Sequence, residues 1–234
     1  VTDLTLDSTI KFLNAGGIGP YSEFRWPRPT DGMPGEWVEV TGALELCRNG
    51  IHACTVAQGM CWIRSTAYLI ELDGERLDGG NKLCARRGRL LVELSWSQRH
   101  AAAFTCDCAE RVLPIYEVRC GSTAPRASIE TTRAWLRGEA TIEEVYAAAA
   151  AAGAAAGASA GDAAAHAAAY SATSAAVAVA DAASTASAGA ADAADATYAA
   201  YVAAYADARG GGGGAERAWQ ASRLLAYLRG EITP

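Results

Sequence analysis

Residues 147–208 limit what this chain can fold into more than any other stretch, because more than half of them are alanine. Alanine is the strongest helix former, yet it brings little apolar area to a core. Such a segment has three outcomes: a membrane span, a disordered tract, or helices packed at close range. A span needs ~20 predominantly apolar residues. Here Ser, Thr, Asp, His and Gly interrupt every such window. Larger anchors recur at Val177, Val179, Tyr198, Tyr201, Val202 and Tyr205. Closely packed helices with small-residue interfaces are therefore expected, broken at Gly153–Gly161 and near Gly189. Thr141-Ile142-Glu143-Glu144 has the form of a capping box and marks the first helix start. Gly210–Gly214 reads as a flexible loop. After it, Ala221, Leu224, Leu225 and Leu228 fall at the spacing of one helix face that docks on the bundle.

The residues before this segment read differently. Glu36–Val40, Leu44–Cys47, Tyr68–Leu72 and Leu90–Leu94 carry strand patterns, with turns expected at Asn49-Gly50 and Asp73-Gly74. Pro27, Pro29 and Pro34 make the segment between Arg25 and Glu36 an irregular loop. From Ser97 the pattern turns helical. The first helix is expected to bend or end at Pro114, and a second, holding Trp135 and Leu136, to stop at Gly138. The fold class is thus α+β: a small β-rich N-terminal domain, residues 1–96, packed on an alanine-rich α-helical domain, residues 97–234.

The chain has 234 residues, a net charge of −6 and a pI near 5.1. That balance speaks against a nucleic-acid partner, which calls for a basic face. Seven cysteines at irregular spacing read as reduced thiols. The first twelve residues carry no apolar run of the signal-peptide kind. Together these predict a cytoplasmic protein without a membrane partner.

Two resemblances follow from particular residues. The run Cys106-Asp107-Cys108-Ala109-Glu110-Arg111-Val112-Leu113-Pro114-Ile115-Tyr116-Glu117 resembles the opening of a family of alanine-rich actinobacterial immunity proteins. The stretch from Arg133 to Thr141 is similar to that family's next motif, and Glu216-Arg217-Ala218-Trp219-Gln220 to its closing helix. The resemblance covers about 97–230 and implies toxin or antibiotic immunity. Upstream, Lys11-Phe12-Leu13, Gly19-Pro20-Tyr21, Phe24-Arg25-Trp26-Pro27 and the Cys-x-x-Gly-x-His-x-Cys run from Cys47 to Cys54 resemble a bacterial and phage domain without an established activity.

For a binding site, the sequence offers Tyr21, Arg25, Trp26 and His52. The first three form an aromatic and cationic cluster on a loop, the residue types enriched at binding hot spots. His52 is the sole imidazole before residue 97. Cys47, His52, Cys54 and Cys61 lack the paired spacing of a zinc site, so no metal is expected. No phosphate-binding glycine motif is present, so no cofactor is expected either. The basic run Arg86-Arg87-Gly88-Arg89 reads as a solvated turn. Between Gly138 and Ala208 every ionisable side chain except His166 and the tyrosines is acidic, with no Lys or Arg within the stretch to offset it, and Asp181 and Asp192 would share a helix face. This is either a solubilising face or a surface for a cationic partner.

The leading expectation is an immunity or self-resistance binding protein that sequesters a cognate toxin or small-molecule antibiotic. The alternatives are a small cofactor-independent enzyme of secondary metabolism, tailoring or ring-forming, and an ADP-ribosyltransferase-like N-terminal domain. An enzyme would have Arg25 and His52 as its catalytic candidates.

Overall fold

The structure, a computed structural model, describes residues 3–184, 195–203 and 212–234. It is α+β, an antiparallel sheet region over residues 9–93 followed by helices over residues 98–228.

The sheet has five strands: β1 (Thr9–Leu13), β2 (Val38–Glu39), β3 (Ile51–Thr55), β4 (Thr66–Asp78) and β5 (Leu83–Glu93). Strand β1 pairs with β3 and β4, and β5 pairs with β4 and β3. These four pairings close a ring, and β2 adds to β5 on the outside. Closure leaves few unpaired edges, the usual hazard of a short sheet. Alternation along β1 separates two cores. Ile10 and Phe12 face the helices. Leu13 joins Trp26, Ile51, Tyr68, Ile70, Leu72 and Leu90 inside the sheet.

Several strand expectations are revised. Leu44–Cys47 is not a strand; it lies in a turn closed by the Glu45–Asn49 bridge. The Asn49 side-chain amide donates to the carbonyls of Thr41 and Ala43, both at 2.8 Å, and this local bonding outcompetes the alternation. Strand β4 continues through Asp73-Gly74, where a register shift between Asp73 and Arg76 absorbs the turn-like pair as a bulge. Arg86-Arg87-Gly88-Arg89 lies within β5 rather than in a turn. Its arginines pair across the ladder with Glu75 (2.6 Å), Asp73 and Glu71 (2.8 Å), respectively.

The helices are α1 (Gln98–Cys120), α2 (Ala124–Arg137), α3 (Ile142–Ala158), α4 (Ala163–Ser184), a helical segment at 195–203, and α5 (Gly212–Leu228). Pro114 does not end α1. Both Pro114 and Glu110, whose carbonyl the ring frees, lie on the exposed side, where the lost helical bond leaves no buried polar group. Helix α2 stops at Gly138 (φ 78°), and the Thr141–Glu144 capping box opens α3.

The alanine segment packs as close helices. Helix α4 lies against α1, α2 and α3, and Ala164, Ala165, Ala167, Ala168, Ala169, Ala172, Ala175 and Ala176 are all buried. A helix covered on so many sides has room only for small side chains. The break between α3 and α4 falls at 159–162, while Gly153 and Gly157 stay inside α3. Gly189 and Gly210–Gly211 lie outside the described residues. Gly212–Gly214 belong to the first turn of α5 instead of a loop. Among the described residues, no helix is long and apolar enough to cross a membrane.

Helix α5 docks as its spacing predicts, but on the sheet side as well as on α1. Leu224 packs over the short helical turn Val56–Cys61, so closely that a Cβ on Gly59 would sit 2.8 Å from the Leu224 Cδ2. One core therefore joins Phe12, Met60 and Ile63 to Trp96, Phe104, Leu224 and Tyr227. Trp96 makes edge contacts with Phe12 (5.6 Å between centroids), Phe104 (6.3 Å) and Tyr227 (6.3 Å).

Candidate functional site

The polar residues that combine most tightly lie between α1, α2 and α5. Asp107 is 8% exposed on the buried side of α1. Its Oδ1 accepts from Arg133 Nη2 at 2.8 Å. Its Oδ2 accepts from Arg223 Nε at 2.7 Å and from the Tyr227 hydroxyl at 2.8 Å. Arg133 Nη2 also donates to Glu110, at 2.6 Å. One turn further along α1, Arg111 Nε donates to Glu216 at 2.7 Å. Glu216 is 3% exposed, and its other oxygen accepts from Gln220 at 3.1 Å. Gln220 also donates to the Thr197 carbonyl, and the Thr197 hydroxyl to the Met60 carbonyl.

Helix spacing explains why these groups meet. Asp107, Glu110 and Arg111 stand at i, i+3 and i+4, hence on neighbouring parts of one α1 face. Glu216, Gln220, Arg223 and Tyr227 do the same along α5. The arginines also rest on aromatic faces. Arg111 lies 4.7 Å from the Trp219 ring centroid, and Arg223 5.6 Å from that of Tyr227.

The network sets the protonation behaviour of its members. Burial opposes the charge on Arg133, yet its bonds to Asp107 and Glu110 hold its pKa above the ordinary arginine value. Arg223 behaves likewise, with Asp107 outweighing burial. Burial, then the Asp107 charge, raises the Tyr227 phenol. Burial raises Glu216 above the usual carboxylate range despite the counteracting Arg111. All of this fits a clasp: two buried carboxylates each grip side chains from another helix.

The four site residues named from sequence are divided. Lys11 connects two of them: its ammonium lies 4.5 Å from the Trp26 ring centroid and donates to the His52 carbonyl at 2.5 Å. Burial lowers the Lys11 pKa to about 8. Trp26 is buried in the sheet core, with Phe24 against it edge-on at 5.7 Å. Tyr21 is 75% exposed, and its hydroxyl accepts from Arg64 at 2.9 Å. Arg25 turns to the Gly16 carbonyl at 3.0 Å rather than to an acid.

The His52 ring organises the preceding turn. Its Nε2 accepts the Cys47 amide at 3.0 Å, which requires that nitrogen to be unprotonated. Burial and then the nearby Lys11 charge lower its pKa. Gly50 (φ 146°) is needed here, because a Cβ would sit 2.1 Å from the Cys84 sulfur. Cys47 in turn accepts from Lys82 at 2.6 Å, while Cys54 is buried in the core. Of the residues weighed for zinc, His52 and Cys47 thus meet through the Cys47 backbone amide rather than its thiol, Cys54 lies in the core and Cys61 is exposed. Among the described residues no group of three His, Cys, Asp or Glu side chains converges as metal ligands do.

Two carboxylates of the acidic stretch have arginine partners, one of them 43 residues away. Asp162 caps α4 and pairs with Arg119 at 2.7 Å, and Glu139 pairs with Arg137. The Asp181 side chain and Asp192 lie outside the described residues.

The Asp107 and Glu216 network was not singled out as a site from the sequence. The available signal was three charged residues at i, i+3 and i+4 in the run 104–113, which otherwise holds only Phe, Thr, Cys, Ala, Val and Leu. What the geometry defines is a sheet-backed, alanine-rich helical scaffold whose charged side chains are fixed into one face. Residues 94–227, more than half of the chain, match the family described as Imm-5 like putative immunity protein, and the chain belongs to that family. All three segments that carried the resemblance lie within or border this network. No curated protein and no solved structure matches the chain.

Proposed function

We propose that this immunity protein acts by direct binding, sequestering a protein toxin in the cytoplasm of the cell that makes it. The observation that carries this reading is the rigid charged face on α1, α2 and α5, built within the family-matched residues. Its arginine side chains are only partly covered: Arg111 is 41% exposed, Arg133 30% and Arg223 36%. Half-exposed arginines pinned by buried carboxylates lose little side-chain entropy on meeting a partner, which favours tight association. The test is co-expression with candidate toxins from the genes that neighbour this chain's gene. Protection of growth together with co-purification in about equal amounts supports sequestration. Protection without a complex refutes it.

A second reading is a small molecule, such as an antibiotic, bound at the Tyr21–Trp26 loop with His52. The Lys11 junction between Trp26 and His52 favours it. Replacing Tyr21 or Arg25 by Ala should then abolish protection against the small molecule while the fold persists. Unchanged protection in both variants overturns this reading.

A further inference from the structure

We infer that the α1/α2/α5 face is a preorganised receptor for carboxylates, and that its partner presents an acidic protein segment. This deepens the sequestration reading and rests on it.

Each guanidinium in the cluster is fixed along one edge. Arg111 bonds Glu216 through Nε, Arg223 bonds Asp107 through Nε, and Arg133 uses Nη2 for both Asp107 and Glu110. Among the described residues, the Nη groups of Arg111 and the Nε and Nη1 groups of Arg133 have no hydrogen-bond partner. A guanidinium carries five N–H donors in a rigid fork that matches carboxylate geometry. Here part of each fork of Arg111 and Arg133 is bonded within the cluster and the rest is unpaired among the described residues. Arg133 and Arg223 share one carboxylate, and Arg111 lies one turn further on, so the three donor sets lie close together.

The charge arrangement selects the partner. The carboxylates that neutralise these arginines, Asp107 and Glu216, lie buried beneath them at 8% and 3% exposure, leaving Glu110 as the exposed acid. Three arginines meet three carboxylates, so the cluster is neutral as a whole, but the arginine side chains are 30–41% exposed and two of the three carboxylates are not, so its outermost charges are mainly cationic. On a chain of net charge −6 this is a local exception, and charge complementarity calls for acidic side chains opposite it. A nucleic acid offers phosphates, but its extended polyanion would meet the repulsion of the rest of the chain. Trp219, stacked under Arg111, adds a flat apolar neighbour of the kind found at interface hot spots.

The test uses the full chain and three probes at low salt: a glutamate-rich peptide, a lysine-rich peptide and a single-stranded oligonucleotide. The glutamate-rich peptide should bind saturably, and more weakly as salt rises. Arg111→Lys keeps a charge near Glu216 but loses the fork. It should weaken that binding roughly tenfold. Arg48→Gln, on a turn of the sheet region, should leave binding unchanged. Thermal unfolding of each variant supplies the folding control. If Arg111→Lys loses stability, Trp219→Ala tests the same face by removing the ring that Arg111 rests on while keeping the Arg111–Glu216 bond. The inference is overturned if the glutamate-rich peptide does not bind, if both variants of the face bind it like the parent, or if the oligonucleotide binds equally well. A toxin against which the chain protects in the co-expression test separates the two levels. Co-purification that survives Arg111→Lys and Trp219→Ala upholds sequestration and removes this face. Peptide binding without toxin binding does the reverse.

Discussion

Replacing Asp107 by Asn keeps the shape of the side chain and removes the charge that joins three helices. An amide retains one acceptor oxygen and turns its N–H donors towards groups that donate to Asp107 in the parent, of which only the Tyr227 hydroxyl can also accept, leaving its own proton unpartnered. At least one of Arg133, Arg223 and Tyr227 then faces an N–H. Tyr227 is 2% exposed, so its hydroxyl has no water to turn to. An unsatisfied buried group of that kind costs about 1–3 kcal/mol. The two arginines are different. At 30% and 36% exposure their charge can be rehydrated, so each loss stays well below the ~3–5 kcal/mol of a fully buried pair. The expected total is about 3 kcal/mol. For a chain of this size that corresponds to a fall in Tm of roughly 6–12 °C. Urea unfolding followed by circular dichroism would show a lower midpoint with an unchanged slope. A double-mutant cycle with Tyr227→Phe isolates the hydroxyl, and in the Asp107→Asn background Tyr227→Phe should be nearly neutral. A loss below about 1 kcal/mol, or strictly additive effects, would refute the view of Asp107 as a clasp.

Three further outcomes are expected. Lys11→Met should stabilise the protein by about 1 kcal/mol at pH 7, because a buried ammonium without a carboxylate gives way to an apolar chain. The folded-state pKa of Lys11, about 8, lies below its ordinary value of 10.5, so the parent's stability should rise between those pH values and the variant's should not; a parallel pH profile would count against this. His52 is lowered from 6.5, so it contributes stability above that pH that is lost as pH falls through the folded pKa; His52→Asn should flatten this acid-side loss in denaturant titrations. In the native protein an aromatic disulfide reagent should modify Cys47, Cys61 and Cys120, which are exposed. Cys54 and Cys106, both pushed up to about 12 by burial, should react only after unfolding, together with Cys84 and Cys108.

Local rules made the helices legible. The Thr141–Glu144 box, Gly138 and the alanine content all act within a few residues, and each stands where the sequence places it. The strands were less legible because their deciding contacts are distant. Asp73-Gly74 has the chemistry of a turn, but the ladder between β4 and β5 continues on both sides and makes it a bulge. The arginine run looked like a turn until Glu71, Asp73 and Glu75 came alongside from the other strand. The Asp107 network lay hidden for the same reason, since its partners stand 26, 116 and 120 residues away. Sequence spacing shows which residues share a helix face. It does not show which other helix covers that face.

Alanine content and the charged clasp are two consequences of one packing problem. Helices made of alanine approach closely but gain little from burial at each contact, and their interfaces are so alike that one register differs little from another. The bundle needs features that distinguish its native arrangement. Polar bonds provide them at several junctions: Ser128 to the Ala172 carbonyl (3.3 Å), Ser171 to the Ala196 carbonyl (2.8 Å), and His166 with the Ala156 carbonyl (2.8 Å). Asp107 and Glu216 do this most strongly, since each is satisfied only when α5 has one rotation against α1. Large side chains are concentrated where α5 meets the sheet, at Trp96, Phe104, Leu224 and Tyr227. The arginines on the outer face are therefore held from beneath by a specific register and from behind by the aromatic core. A surface intended to meet a partner without rearranging needs that support.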